Sequence, residues 1–273
     1  MNTKYCPAYE GIVRRAIVGP DTFYRSLYEI RGEVLIYNEE DKAALQNMLL
    51  EIKEHTGWEF YYLTELCGTR IDLVDIGIGE IVMKHIRNFS HPEPRAYLYE
   101  FIYKDKIKDR MSFFLEEYEI FKQSPFYLAD RKNLVIGRRL DQAMKHSMGK
   151  KDKTAILEII SNPIDAYYCP QTVQKYASWK YPEFESLLHS FLLETYALPP
   201  EAEKLIPPKN LHLDPDLRLI LQETALYSLR YYPTENNIQL LEKYVDSEYG
   251  YLKYAATHSL KYIRKRINNA PSV

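Results

Sequence analysis

One stretch of this chain is written twice. Leu221-Gln-Glu-Thr-Ala225-Leu-Tyr-Ser228-Leu229 returns as Leu252-Lys-Tyr-Ala-Ala256-Thr-His-Ser259-Leu260. Leu221, Ala225, Ser228 and Leu229 match Leu252, Ala256, Ser259 and Leu260 at one offset, 256 − 225 = 31 residues. A fixed period of this size marks stacked units, none of which can bury its apolar face alone. The three- and four-residue spacing of the matched positions makes the repeated element a helix. Ala at the centre of each apolar stripe lets neighbouring helices come close. Ile238, Leu240, Leu241 and Tyr244 lie between the copies and predict a short antiparallel mate.

The rest of the sequence also reads as helix. Asn38 is a cap before acidic Glu39-Glu-Asp41, with Ala44, Leu45, Met48, Leu49 and Ile52 at helical spacing and Gly57 as the stop. Helices are predicted near 72–89, 93–104, 106–122, 134–147, 152–160, 170–179, 182–196, 214–230, 235–245 and 248–267. Asp214-Pro-Asp216 and Asp246-Ser-Glu248 supply caps for the two repeat helices. Within residues 1–37, Glu10–Val18 and Arg31–Tyr37 read as short strands or an irregular arm and Pro20-Asp21 opens a helix through Tyr28, while 268–273 is a frayed tail. Met148-Gly-Lys-Lys-Asp-Lys153 is either a joint between halves or a plain inter-helix loop. The organisation expected is a segment 1–37 of uncertain structure, a helical half 38–147 and a repeat half 152–273, with one continuous solenoid as the alternative.

The repeat resembles the HEAT-like family, in which an acidic turn leads into a helix with a central Ala and a following Leu. Asp214, Ala225 and Leu229, then Asp246, Ala256 and Leu260, carry the resemblance, which covers residues 213–265. An Arg often follows the turn in that family; Arg218 fills the place once, and Tyr249 or Gly250 stands there in the second copy. The resemblance implies an all-α α-solenoid of HEAT-like antiparallel helix pairs. Such solenoids serve many roles, so architecture alone does not name one.

Composition narrows the roles. A net charge of −2 gives no general reason to bind a phosphate backbone. The terminal helix holds Lys253, Lys261, Arg264, Lys265 and Arg266, and basic residues in a last helical turn complement the helix dipole. Ten Gly disfavour glycine-dependent nucleotide folds and turn-rich β classes. Cys6, Cys67 and Cys169 form no CxxC, which fits a reducing cytosol. The N-terminus has no apolar signal region and no run is long enough to span a bilayer. None of the seven His sits at a metal-ligand spacing, and His189-Ser190 point apart on a helix. Glu116-Glu117 and Glu39-Glu40-Asp41 read as solvated faces.

The functional expectation is a non-catalytic, cytoplasmic module that binds another protein on a helix-lined concave surface, with no cofactor or metal and no membrane contact. Opposite the apolar stripe, Glu223, Tyr227 and Arg230 recur as Tyr254, His258 and Lys261, which predicts a polar and aromatic ladder. These six are the expected partner-binding residues. Two enzyme readings compete. Asp75-Ile-Gly77-Ile-Gly79 resembles the cofactor turn of S-adenosylmethionine-dependent methyltransferases, which would make Glu100 the ribose-binding acid. Ile81 stands where that family has a small residue, and two Gly at a helix start is the plainer account. HEAT-like repeats also form the fold of alkylpurine DNA glycosylases, a likeness of architecture only, and the acidic balance argues against nucleic acid.

Overall fold

The computed structural model describes residues 38–61, 63–68, 77–105, 107–128, 134–206 and 216–268. Among these residues every regular element is helical and there is no strand. The chain divides into two compact units, 1–118 and 119–273. The segments 1–37 and 269–273 lie outside the described residues, as do Asp75 and Asp214.

In the first unit, α1 runs Glu39–Thr56 between the two caps its sequence announces. The Asn38 side chain accepts the Asp41 N–H at 2.7 Å, and Gly57 closes the helix at φ 76 by donating to Lys53. Ala44, Leu45, Met48, Leu49 and Ile52 are buried. Next come α2 (Leu63–Gly68), α3 (Gly79–His85) with a 3-10 turn at Ile86–Asn88, α4 (Pro92–Lys104) and α5 (Arg110–Gln123). The α3 helix packs on both α1 and α4. Phe89, Phe101, Ile102, Phe114 and Tyr118 fill the core.

Two acids expected on solvated faces are inside. Asp41 is fully buried and accepts from the Ser90 N–H at 2.6 Å, the Ser90 hydroxyl at 3.0 Å and the His91 N–H, so it anchors the start of α4. Glu117 is also buried; it accepts from Arg95, from Arg87 Nε at 3.1 Å and from the Tyr99 hydroxyl at 2.9 Å. Charge alone does not put a residue in water: Glu117 has both oxygens bonded, and Asp41 gathers its bonds on Oδ1 while Oδ2 is buried without a partner. Glu116, next door, stays exposed and pairs with Arg87 at 2.6 Å.

The second unit holds α6 (Leu134–Ser147), a 3-10 turn at Lys150–Asp152, α7 (Lys153–Ile160), α8 (Pro163–Tyr168), α9 (Pro170–Ala177) and α10 (Pro182–Leu192). A 3-10 turn at Pro200–Leu205 follows, then α11 (Leu217–Leu229), α12 (Glu235–Glu242) and α13 (Gly250–Asn268). Pro opens α8, α9 and α10, where its missing N–H costs no bond. Residues 148–153, read as a joint or a plain inter-helix loop, form a tight turn in which Asp152 accepts the Gly149 N–H at 2.8 Å, and α7 begins at once.

Packing within this unit has an order. The α6 helix packs on α9, α9 on α11, and α11 on α13. The α10 helix lies against α11, and the predicted mate, α12, against α13. Polar links recur at a separation near the sequence period. Asp141 meets Gln171 and Thr172, Lys153 meets Glu183, and Gln222 meets the Leu192 carbonyl. The α11 helix is enclosed: Leu217, Ile220, Leu221, Gln222, Thr224, Ala225, Leu226, Ser228 and Leu229 are all buried. Ala225 and Ala256 are both fully buried, as close helix approach requires.

Candidate functional site

The matched residues put α11 and α13 side by side, parallel and in register. The Tyr227 ring meets the His258 ring at 5.8 Å, and the Tyr231 ring meets the Tyr262 ring at 5.9 Å. Each pair keeps the 31-residue offset, and four residues further along one helix lie four further along the other. Only parallel neighbours do that.

The expected ladder residues fall on this face. Tyr254 is 64% exposed and its ring stacks on His258 at 6.1 Å with 27° between planes. His258 and Lys261 are exposed. Arg230 caps the end of α11, and its guanidinium lies 4.9 Å from the Tyr231 ring, 5.5 Å from Tyr262 and 6.0 Å from Tyr227. Glu223 lies deeper; burial pushes its carboxyl up, with the Arg138 charge opposing. Burial also raises the Tyr227 hydroxyl, seconded by Glu223. Tyr227 therefore stays a neutral phenol at any physiological pH.

Three members of the face were not anticipated. Tyr231 and Tyr262 continue the repeat two residues past Leu229 and Leu260, at the same offset and as identical residues, so the signal was present. Arg266 lies 5.5 Å from the Tyr262 ring and donates to its hydroxyl at 3.3 Å.

At Gly79 the competing turn is filled by the protein's own atoms. Gly77 is left-handed at φ 76, and Gly79 is the first residue of α3. The Gly79 N–H donates to the Asp105 carboxylate at 3.0 Å. A Cβ on Gly79 would lie 2.7 Å from the Phe101 carbonyl oxygen and from the Asp105 side chain. Its lack of a side chain serves packing against α4. Glu100, the expected ribose acid, is helical and pairs with Lys104 at 2.5 Å. With no sheet among the described residues, the methyltransferase reading is disfavoured.

His189 and Ser190 are not a pair: His189 meets Asn237 at 2.6 Å and Ser190 donates to the Leu187 carbonyl. Among the described residues no group of three His, Cys, Asp or Glu is placed to hold a metal ion. No helix among them is long and apolar enough to cross a membrane. The chain matches no family model, no curated protein and no solved structure.

Proposed function

We propose that this chain is a non-catalytic interaction module that binds a partner protein through the α11–α13 face, on a HEAT-like stack of helix pairs. The observation that carries the reading is the in-register ladder Tyr227–His258 and Tyr231–Tyr262 with Arg230 laid across it. Tyr and Arg are enriched among the residues that dominate binding energy at protein interfaces: Tyr presents a large rigid surface at small entropic cost, and Arg a planar fork of donors. Here the aromatic groups rest on a rigid base, the enclosed α11 helix. The stack itself is supported by the packing order α6, α9, α11, α13 and by polar links that recur near the repeat spacing.

Site-specific photocrosslinking tests the surface. With p-benzoylphenylalanine placed at Tyr254 in cells that express the chain, a discrete protein adduct is expected. It should vanish when Tyr227→Ala and His258→Ala are added, and should not form from the exposed Leu50 of the first unit. Identical adducts from both positions, or none from Tyr254, would show that the ladder is an ordinary solvated face.

A further inference from the structure

The charges on α13 are unbalanced. From Gly250 to Asn268, α13 carries Lys253, Lys261, Arg264, Lys265 and Arg266 and not one Asp or Glu. The whole chain has a net charge of −2, so this is a local excess. The helix dipole accounts for basic residues in the last turn. It does not account for Lys253 and Lys261, nor for the missing acids.

Two guanidinium groups share one ring. Arg230 and Arg266 each lie 5.5 Å from the centre of Tyr262. Arg230 donates to the Tyr231 hydroxyl at 3.0 Å, while its Nε is buried with no hydrogen-bond partner. Among the described residues no carboxylate lies within ion-pair distance of either group. The nearby Glu242 is engaged by Arg264 at 3.3 Å. Like charges gathered on one tyrosine repel each other, and among the described residues no ion pair offsets that. Aromatic faces hold Arg230 in place, so its donors are oriented before any ligand arrives. An oriented guanidinium suits a carboxylate, which can take two parallel N–H bonds.

Building on the interaction reading above, we infer that the α11–α13 face takes an acidic segment of a partner protein. Its carboxylates bond Arg230 and Arg266, a further acid reaches Lys261, and an apolar or aromatic side chain lies on the exposed ring of Tyr254. A nucleic-acid strand fits less well. Strand binding relies on a dense track of cations along the phosphates. Here the cations are few, Arg230 at the end of α11 and Lys261 and Arg266 on α13, and Glu223 acts on Tyr227 of the ring row. Discrete carboxylates can bond the arginines without lying along that acid.

The test is fluorescence anisotropy on the full chain with three labelled probes: a peptide alternating Glu and Trp, one alternating Gln and Trp, and oligothymidylate. The acidic peptide should bind tightest and weaken as salt rises. Arg230→Met with Arg266→Met should weaken it at least about tenfold while the helical circular dichroism spectrum is kept. If the double variant does not fold, Arg266→Glu alone, at an exposed position, must weaken the acidic peptide and favour a Lys–Trp peptide. Tighter binding of oligothymidylate, or an acidic peptide that binds no better than the Gln–Trp peptide, would overturn the inference. So would full binding by either variant. A Gln–Trp peptide that binds equally well, and is lost on Tyr227→Ala with Tyr254→Ala, would keep the ladder as a protein interface and remove only the acidic partner.

Discussion

Asp141, midway along α6, holds the start of α9: its carboxylate accepts the Thr172 N–H at 2.8 Å and the Gln171 N–H at 2.9 Å. The bonds suit a negative charge at a helix N-terminus. Burial outweighs them and pushes the carboxyl up to about 6. A folded-state value above the unfolded one means that this group's stabilisation is complete below about pH 4 and is lost as pH rises through 6. The loss amounts to about 3 kcal/mol. Urea midpoints between pH 4 and pH 8 should fall for the native chain, and Asp141→Asn should abolish that part of the slope. Parallel pH profiles for the two proteins would refute the assignment.

Glu117 and Arg95 form the buried ion pair of the first unit. Arg95→Ala leaves the carboxylate with Arg87 and Tyr99 only. Breaking one side of such a pair costs about 3–5 kcal/mol. Replacing both, as Arg95→Met with Glu117→Leu, should cost clearly less, because no charge is then stranded. Chemical denaturation of the three proteins checks the order.

Gly137 is an interior glycine of α6 with a packing reason. A Cβ there would lie 2.6 Å from a ring carbon of Tyr168. That ring cannot retreat, because Phe121, Tyr127 and Tyr167 sit 5.0–5.7 Å from it or from each other. Gly137→Ala gains about 1 kcal/mol of helix propensity. Overpacking a closed site costs about 1–3 kcal/mol. A net fall in thermal midpoint is therefore expected, and a rise would show that the ring can move.

The repeat is less symmetric inside than in its letters. Ser228 donates to the Thr224 carbonyl at 2.7 Å, whereas the hydroxyl of its counterpart Ser259 is buried without a partner. An orphan buried hydroxyl costs about 1–3 kcal/mol. Ser259→Ala should stabilise the chain, and Ser228→Ala should not. Equal effects from both substitutions would count against this difference.

Where the sequence carried a local stop or start signal, the helix was legible. The α6 helix runs over the predicted 134–147, and Asn38 and Gly57 bound α1 as expected. Ends without such a signal were misread. The prediction over 182–196 stops at Leu192, and Glu194 turns left-handed at φ 54. Lys180 does the same at φ 61 after α9. Glycine would have announced those turns, and these residues do not. Six-residue α8 was missed because it is too short to show a period, although Asn162 and Pro163 are its cap and first residue. Of the helix predicted at 72–89, residues 72–76 lie outside the described residues, Gly77 and Ile78 are not helical, and α3 runs Gly79–His85 before tightening into a 3-10 turn at Ile86. On the candidate face, the six expected residues lie on α11, at its end and on α13. Arg138 stayed invisible, because nothing in a linear pattern links it to Glu223.

The burial of α11 on nearly every side decides how this unit comes apart. Amide protons of Leu221, Ala225 and Leu226 should exchange with solvent last, on the scale of complete unfolding. Those of the final turns of α13, which project exposed Lys261, Arg264 and Lys265, should exchange far sooner. The face offered to a partner thus has a slow half and a fast half, and a bound partner would show itself first as protection of the fast one.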